Sequence, residues 1–433
     1  MLNHTPAAYT RRLFLRQGAM LASLCPTLPL FLQDSAAMIL QPEDSLLSSQ
    51  PGVPEDRVLV VVQLGGGNDG LNTVVPYGDP AYFRARNNLA IAAPGSKGQG
   101  VAIELDRNRG IGLHPNLAGL KELVDAGEAS VIQGVGYPNP NRSHFTSMDI
   151  WHTGRLDAKG TGWIGRYFDN SCNGTPVPEG SIAVGRTAPL AMMGDIQKPV
   201  AFESPDLFRW SGDELADRLA KEYDAVSRAG VIGDTKPDSQ AAFLMRTALD
   251  AQVASDRIRA AVAKQPLVTY PGTPLGGQLR TIAAMIRDGM STRVYYASIS
   301  GFDTHSQQAN AHGNLLKQVG DSLRAFRNDL KAQGNDGRVL TLVFSEFGRR
   351  VKVNGSAGTD HGTAAPMFLI GPMVRPGVLG DHPSLVELDD GDLKFGVDFR
   401  SVYAAVLEDW LKAPSAKILR GEFRKAEVIA KKA

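Results

Sequence analysis

The sequence contains little cysteine, few aromatic residues and no excess of charge of either sign. Only 2 of its 433 residues are cysteine, which excludes a disulfide framework and a zinc site built from thiolates. Lys and Arg number 46 against 45 Asp and Glu, so the chain lacks a strongly basic composition and we expect no nucleic-acid partner. Aromatic residues make up only 7%, which makes a carbohydrate-binding module with an aromatic platform the least favoured function.

Apolar residues, glycines and prolines are all well represented. A hydrophobic fraction of 43% excludes intrinsic disorder as the main state of the chain. The 46 Gly and 26 Pro residues indicate many loops around a scaffold. The length is compatible with two or three average domains, or with one large α/β domain that carries insertions.

The N-terminal residues are typical of an export signal. Thr10–Arg16 carries a twin-arginine pattern, and an apolar stretch over 18–32 follows it. Two prolines interrupt this stretch, which is shorter than the ~20 residues that span a bilayer, so we expect no stable membrane span. Residues 1–37 are therefore predicted to be a signal peptide read by the twin-arginine translocase, which gives a periplasmic or secreted protein. A retained N-terminal helix is the alternative.

Apolar runs of strand length alternate with stretches of helix length along the chain. The predicted strands are rich in β-branched residues and cover 57–64, 130–135, 294–299, 339–344 and 367–370. The predicted helices cover 116–127, 276–289, 311–333 and 398–411. Asp398 is placed to cap the last of them. This alternation predicts an α/β fold, a three-layer sandwich around a mostly parallel central sheet.

Three segments fall outside the alternation. The proline-containing stretch 38–56 is interpreted as a linker before the domain, which spans 57–415. Residues 154–275 have glycine- and proline-rich loops before a helical stretch at about 211–263, and they are interpreted as a loop-rich and helical insertion. Residues 416–433 are interpreted as a basic C-terminal tail.

Acidic residues and histidines stand at the ends of the predicted strands. One follows the first strand, two follow the third, one follows the fourth and one precedes the last. They are Asp69, Asp303, His305, Glu346 and His361. Loops at the carboxyl edge of an open α/β sheet converge, and a divalent ion accepts imidazole nitrogen and carboxylate oxygen. Each residue alone also fits a turn or a hydrogen-bonded loop. The prediction of a metal site therefore depends on ligand-type residues occurring at several strand ends together.

The glycine-rich segment after the first strand has a competing interpretation. Gly65, Gly67 and Gly70 match the G-x-G-x-x-G fingerprint of dinucleotide-binding loops. However, the next residues make a poor helix start, and Asp69 would put a carboxylate where pyrophosphate binds. An acid about 20 residues further on, which would bind the ribose, is also missing. The segment is therefore interpreted as backbone that gives Asp69 close access to a metal.

Five blocks of the sequence resemble a bacterial family of exported proteins, the domain of unknown function 1501 (DUF1501). They read LGGGNDGLNTVVPY, NRSHFTSMDIWHTG, GFDTHSQQ, VFSEFGRR and GTDHGTAAPMFLIG, and the resemblance covers residues 58 to about 411. The family looks like a branch of the alkaline phosphatase/sulfatase superfamily. The resemblance implies that fold, with two divalent metals beside a Ser, Thr or modified Cys nucleophile. It also implies metal-binding roles for Asp69, Asp303 and His361, and it places Glu346 where the superfamily has the acid of an Asp-His pair.

The sequence departs from the superfamily pattern at two points. Phe347 stands where the paired histidine of the second metal site is expected. The Asp-x-x-x-His spacing is absent after Asp303, so His305 or His312 must substitute. A site with one ion instead of two is therefore an open alternative.

A polar segment after the second strand supplies candidate catalytic residues. Ser143 lies at the expected N-terminus of a helix, where free N–H groups stabilise an anion, and an N-cap is its structural alternative. His144 is a candidate ligand or general acid. Arg142 is a candidate clamp for an anionic oxygen, with a surface ion pair as the alternative. Thr146 and Ser147 are less well placed.

These observations predict an exported, metal-dependent hydrolase that acts on a phosphate or sulfate ester, either a small molecule or a polymer. The predicted cofactor is one or two divalent ions, which could be Zn²⁺, Ca²⁺, Mg²⁺ or Mn²⁺. The main alternative is a non-catalytic periplasmic binding or accessory protein that retains the alkaline phosphatase-like fold. Phe347 and the indistinct nucleophile favour this alternative.

Overall fold

The computed structural model describes residues 57–98, 100–171, 178–203 and 257–430. The predicted signal peptide, the predicted linker and most of the helical stretch predicted at about 211–263 lie outside the described residues. The described residues up to 203 and from 260 onward form one compact unit.

The strands of the described residues fall into two sheets. They are β1 (Val58–Gly65), β2 (Val74–Val75), β3 (Ile103–Asp106), β4 (Ile111–Leu113), β5 (Ala129–Gly136), β6 (Ser181–Val184), β7 (Val200–Phe202), β8 (Val294–Ser300), β9 (Val339–Ser345), β10 (Ala365–Ile370), β11 (Gly377–Leu379) and β12 (Val397–Asp398). The strands predicted from the apolar runs are confirmed as β1, β5, β8, β9 and β10, with ends shifted by two residues at most.

The helices confirm the other half of the alternation. They are α1 (Gly70–Thr73), α2 (Pro80–Arg86), α3 (Ala118–Asp125), α4 (His144–Thr153), α5 (Trp163–Ser171), α6 (Pro274–Arg287), α7 (Gln308–Gln333), α8 (Phe399–Ala405) and α9 (Ser415–Leu419). A π-helical turn at Val406–Trp410 extends α8. Asp398 caps α8 as predicted, because its Oδ1 atom accepts the backbone N–H of Arg400 at 2.9 Å. Among the described residues, no helix has the length and apolar character needed to cross a membrane.

Nine strands of the described residues form the main sheet, in the order β11-β5-β10-β9-β1-β8-β6-β7 with β12 paired to β5. The central strand β1 runs parallel to both of its neighbours, β8 and β9. Strand β10 is antiparallel to β5 and β9, whereas the other described pairs of this sheet are parallel. The predicted α/β fold with a mostly parallel central sheet is confirmed.

The antiparallel direction of β10 determines where the polar residues lie. Residues 346–364 join β9 to β10 without a crossover helix, so β10 starts at the edge of the sheet where β9 ends. The whole connection therefore stays at the carboxyl edge of β9, beside the residues that follow β1 and β8. Glu346 and His361 are thereby held at the same edge.

Burial on both faces explains the unbroken apolar run of β1. Leu59 and Val61 pack in a core cluster that also contains Trp151. Val60 and Val62 are 0% exposed, and their side chains point to the opposite face because side chains alternate along a strand. Helix α6 contacts β8 and α7, while α3 contacts β5 and α7. A central strand of a parallel sheet has this pattern because helices cover both faces.

The segment 154–275, which the sequence favours as an insertion, contributes two strands to the main sheet. Strands β6 and β7 extend the sheet beyond β8. Strand β6 is only 4 residues long, and so short an apolar run does not stand out from loop sequence. The predicted tail likewise contributes core residues, since Val428 and Ile429 are 2% and 6% exposed.

Three histidines away from the strand-end residues are buried in this fold. Burial lowers the pKa of His152 and of His312 to about 4. Burial, with the charge of His312, lowers the pKa of His114 to about 3. All three stay neutral in the folded protein at pH values where an exposed histidine, whose pKa is about 6.5, takes up a proton.

We expect the free energy of unfolding to fall as the pH decreases from about 6.5 to about 4, because the unfolded chain then binds more protons than the folded chain. Each of these histidines contributes a loss on the order of 1–2 kcal/mol by about pH 5. Urea denaturation at neutral and mildly acidic pH measures this loss. His152→Gln removes one of the three groups and should reduce the loss, and an undiminished loss in that variant would contradict the prediction.

Candidate metal centre

The turn after β1 brings three parts of the chain together at the carboxyl edge of the sheet. Gly66 has a φ of +117°, and a Cβ atom there would overlap the backbone of Phe302 and Asp303. Gly67 has a φ of +76°, and a Cβ atom there would overlap the ring of Phe347. Glycine alone permits both these angles and these approaches. The turn therefore holds the connections after β8 and β9 close together.

Three side chains converge at this edge. His144 begins α4, Asp303 follows β8, and His361 lies between β9 and β10. One ligand atom from each lies within 4.8 Å of the others, and within the described ranges this is the only such group of three His, Cys, Asp or Glu residues. The Nε2 atom of His361 is 3.1 Å from Oδ1 of Asp303, and Nε2 of His144 is 3.4 Å from Oδ2.

His305 lies against the same three residues. Its Nε2 atom is 2.9 Å from Nε2 of His361 and 3.1 Å from Oδ1 of Asp303. We refer to His144, Asp303, His305 and His361 as the histidine cluster. The side chains of Asp303 and His305 are each 45% exposed, so the histidine cluster is open to solvent on one side.

Each histidine of the cluster has an acceptor on the far side of its ring. The three contacts are Nδ1 of His144 to Oε1 of Glu346 (2.9 Å), Nδ1 of His305 to Oδ1 of Asp360 (3.1 Å) and Nδ1 of His361 to the carbonyl oxygen of Arg142 (2.8 Å). A carbonyl oxygen can only accept, so Nδ1 of His361 carries a proton and donates it. In His144 and His305, a proton on Nδ1 would likewise be donated to the carboxylates of Glu346 and Asp360. In this tautomer the Nε2 atom of each histidine has a free lone pair directed at the other cluster residues. Acceptors in this position orient histidines that bind metals.

The histidine cluster fits a divalent ion. Converging lone pairs and a carboxylate repel one another unless a positive charge lies among them. The buried Nε2 atom of His144 has no hydrogen-bond partner among the described residues, which leaves it available as a ligand. Ligand atoms 2.0–2.1 Å from a tetrahedral Zn²⁺ lie about 3.3 Å apart, and the contacts around Asp303 and His361 measure 2.9 to 3.4 Å. Imidazole nitrogen with one carboxylate is a donor set for zinc and similar ions.

Arg349 supports Asp303 from inside the protein. Its side chain is 0% exposed and donates to Oδ1 of Asp303 at 2.6 Å. It also donates to backbone carbonyl oxygens in all three connections that meet here. Burial raises the pKa of Asp303, but the hydrogen bond and the charge of Arg349 oppose this effect, and the pKa is held at about 2. Asp303 is therefore ionised and shares its charge with a fixed guanidinium group.

Asp69, predicted as a ligand, is not brought into the histidine cluster. Its carboxylate is 0% exposed and forms a two-point ion pair with Arg86, with Oδ1 at 2.9 Å from Nη2. Gln308 donates to the same carboxylate. Burial raises the pKa of Asp69, but the charge and hydrogen bonds of Arg86 outweigh burial and lower it. The structure therefore places Asp69 in a buried ion pair, where Arg86 supplies the positive charge that the sequence assigns to a metal.

Glu346, also predicted as a ligand, lies behind the histidine cluster. It is 2% exposed, and its Oε1 atom accepts the backbone N–H of Gly66 at 2.8 Å in addition to contacting His144. The hydroxyl of Ser345 donates to Oε2 at 3.2 Å. The structure places Glu346 as the carboxylate that orients His144, with both of its oxygens engaged away from the common point.

Arg142, in the predicted catalytic segment, contacts the histidine cluster through its backbone carbonyl oxygen and not through its guanidinium group. Ser143 is exposed at the N-cap position of α4, and its side chain makes no capping hydrogen bond. The guanidinium of Arg142 pairs with Asp390 at 3.1 Å and with Asp392, which is the ion-pair alternative, while its carbonyl oxygen orients His361. Ser143 thus stands between Arg142, whose carbonyl oxygen contacts the histidine cluster, and His144, which belongs to it.

Sequence reasoning misses Arg349, Asp360 and Arg86. Arg349 stands three positions after Glu346, and Asp360 immediately precedes His361, so both lie in blocks that already mark the site. Their charge next to candidate ligands is the signal that could have identified them. No local pattern marks Arg86, because it lies on α2 and reaches Asp69 only through the fold.

A family model described as "Protein of unknown function (DUF1501)" matches residues 136–410. The matched range includes the whole histidine cluster together with Glu346, Arg349 and Asp360. The chain matches no curated protein.

The chain is also similar to several solved structures. One is the PsFucS1 sulfatase from Pseudoalteromonas sp., with 11% identity, 92% of this chain and 77% of that chain covered, and a TM-score of 0.36. A protein in the alkaline phosphatase superfamily from Vibrio parahaemolyticus has 13% identity, coverages of 81% and 71%, and a TM-score of 0.29. Alkaline phosphatase from the Antarctic bacterium TAB5 has 11% identity, coverages of 76% and 95%, and a TM-score of 0.28. At these TM-scores the likenesses transfer no activity to this chain.

Proposed function

The chain belongs to the DUF1501 family, and we propose that it is an exported hydrolase that uses a divalent metal ion to cleave a phosphate or sulfate ester. The convergence of imidazole nitrogens with the Asp303 carboxylate at a half-exposed edge of the sheet supports this proposal. Each imidazole has its outer acceptor, and the histidine cluster is open to solvent on the side of Asp303 and His305. A catalytic metal site needs both properties, since it must hold an ion and leave a position for substrate.

In this proposal His144, His361 and Asp303 would hold the ion, with His305 as a further ligand and one coordination position left for the ester. The bound ion supplies a Lewis acid that neutralises charge on the ester and lowers the pKa of the attacking group. Ser143 is the proposed nucleophile, with a water molecule as its alternative. The backbone N–H groups in the first turn of α4 favour a negatively charged ester oxygen at this end of the helix.

Elemental analysis of the purified protein, combined with a panel of phosphate and sulfate esters, tests the proposal. We expect a bound divalent ion and turnover of at least one ester, with turnover lost after treatment with a chelator and restored by the metal. Protein without bound metal that also binds none on titration would overturn it.

Phe347 favours a second candidate function, a non-catalytic binding or accessory protein. Its ring centroid lies 4.9 Å from those of His144 and His361, and an aromatic ring cannot act as a ligand. Phe347 therefore supplies no ligand for a second ion beside these two histidines. Bound metal with no turnover on any ester of the panel would support this function.

Glu346→Gln should weaken metal binding by about 10–100-fold, the usual cost of losing an outer partner of a metal-binding histidine. The neutral amide gives His144 a weaker acceptor, so the imidazole becomes a poorer ligand. Titration of metal-free protein in competition with a chelator measures the affinity. The exposed Glu387 provides the control, because Glu387→Gln should leave the affinity unchanged. Equal affinities for Glu346→Gln and wild type would argue against an orienting role.

Export through the twin-arginine pathway remains part of the proposal and depends on Thr10–Arg16. Replacing both arginines, Arg11→Lys with Arg12→Lys, should retain the protein in the cytoplasm, because the translocase recognises the arginine pair. Cell fractionation measures the distribution, and Arg16→Lys is the control. Unchanged export of the double variant would exclude this route.

A further inference from the structure

A cavity of about 280 Å³ lies beside the histidine cluster. Glu346 and Phe347 belong to its lining. The same two residues contact the cluster, because Oε1 of Glu346 is 2.9 Å from Nδ1 of His144 and the Phe347 ring lies 4.9 Å from the rings of His144 and His361. The cavity therefore adjoins the proposed reaction centre, with Glu346 and Phe347 shared between the two.

Aromatic and aliphatic side chains form much of the cavity wall. Tyr137, Trp151 and Phe395 line it together with Pro140 and Leu393. Tyr137 and Trp151 are buried, whereas Phe395 is 38% exposed. Aromatic side chains pack most favourably on other rings, in stacked or edge-to-face arrangements. The wall thus favours a ligand with a planar apolar group.

Polar groups in the lining add a second requirement. The buried Nε1–H of Trp151 has no hydrogen-bond acceptor among the described residues. A buried donor without an acceptor is unfavourable, and Trp151 is a lining residue of the cavity. Lys394 and Asp389 are exposed residues of the same lining, and Lys394 forms no ion pair with any described residue. A polar substituent on the ring would find partners of either charge here.

We infer that this cavity receives the alcohol part of the ester, and that this alcohol is a single planar ring that carries a further oxygen. The inference rests on the proposed function, since it assigns the leaving group of the same reaction. Hydrolysis breaks the bond between the phosphorus or sulfur atom and the ring oxygen, while water supplies the hydroxyl of the acid and the proton of the released alcohol. The cavity is smaller than the ~300–1,000 Å³ pockets of drug-sized ligands. It therefore fits one ring and favours a small ester over a polymer.

Binding of 4-nitrophenol to metal-free protein tests the cavity independently of catalysis. Phe395→Ala removes an aromatic wall, and we expect it to weaken binding by about tenfold. Phe83→Ala is the matched control, because Phe83 is also 38% exposed but lies on α2, outside the lining. Phe395→Leu keeps apolar bulk without a planar ring and should fall between wild type and Phe395→Ala.

Turnover gives the second measurement. For the phosphate or sulfate ester of 4-nitrophenol, Phe395→Ala should raise KM by a similar factor. For the corresponding ester of methanol, Phe395→Ala should leave KM unchanged. Phe83→Ala should change neither KM. Binding of 4-nitrophenol that depends on Phe395, in a protein that turns over no ester, would support the cavity and refute the hydrolase. Turnover with equal KM for the two esters, or 4-nitrophenol binding that is absent or insensitive to Phe395→Ala, would overturn the inference and leave the hydrolase standing.

Discussion

Asp303→Asn is expected to remove the bound divalent ion and ester hydrolysis together. Asparagine keeps the size of aspartate and can still accept a hydrogen bond from Arg349, but it carries no charge. The imidazoles of the histidine cluster would then hold the ion without any anionic ligand. We expect the affinity to fall by more than the ~10–100-fold that follows loss of an outer partner, so that the purified variant carries little metal. Elemental analysis and the ester panel measure both effects.

His361→Ala provides an independent test of the same site, since it removes an Nε2 donor and leaves Asp303 in place. Asp321→Asn is the matched control, because Asp321 pairs with Lys317 on the surface of α7 at 2.8 Å and lies outside the cluster. Circular dichroism and thermal melting separate loss of metal from loss of fold. Full metal content in folded samples of both cluster variants would rule out the assigned ligands.

Arg86→Met is expected to lower the free energy of unfolding by about 3–5 kcal/mol, the usual cost of leaving a buried charge unpaired. Both side chains of the Arg86–Asp69 pair are 0% exposed. Arg86 also donates to the carbonyl oxygens of Val351 and Arg350, at 2.7 and 2.8 Å. Without the guanidinium, the carboxylate of Asp69 would keep only neutral partners such as Gln308. Urea denaturation measures the loss.

A second substitution distinguishes the ion pair from a metal site. Asp69→Asn in the Arg86→Met background removes the unpaired charge, so it should restore part of the lost stability. Arg107→Met breaks an exposed pair with Glu104, and it should change the unfolding free energy very little. Metal affinity should stay near that of wild type in folded Asp69→Asn. If Asp69→Asn instead lost its metal as Asp303→Asn does, the ligand role that the sequence suggests would be right and the structural role wrong.

The fold could be predicted where apolar runs are long enough to be recognised. Strands β1 and β9 are 8 and 7 residues long and almost wholly buried, so their β-branched runs stand out. Strands β7 and β12 have 3 and 2 residues, too few for a pattern to show. The antiparallel direction of β10 depends on the route of the preceding connection, which apolar periodicity does not describe.

The candidate site could be predicted in its position but not in its internal order. Polar residues at the ends of parallel strands had to meet at one edge, and Asp303 and His305 do so. His361 joins them because β10 is antiparallel to β9. Which carboxylates face the common point depends on partners from distant parts of the chain. Asp69 and Glu346 have the chemistry of ligands, yet Arg86 engages the first and the outer nitrogen of His144 engages the second.

The position of β1 has a consequence for how the chain folds. It is the first strand of the described residues, yet Leu59 pairs with Val294 and Val58 with Val339. During synthesis this apolar strand has no partner in the main sheet until β8 and β9 have left the ribosome. Such long-range pairing makes folding slow and exposes unpaired strands to aggregation. The newly made N-terminal half therefore exposes an unpaired apolar strand, and the four residues of the histidine cluster can come together only after most of the chain has been synthesised.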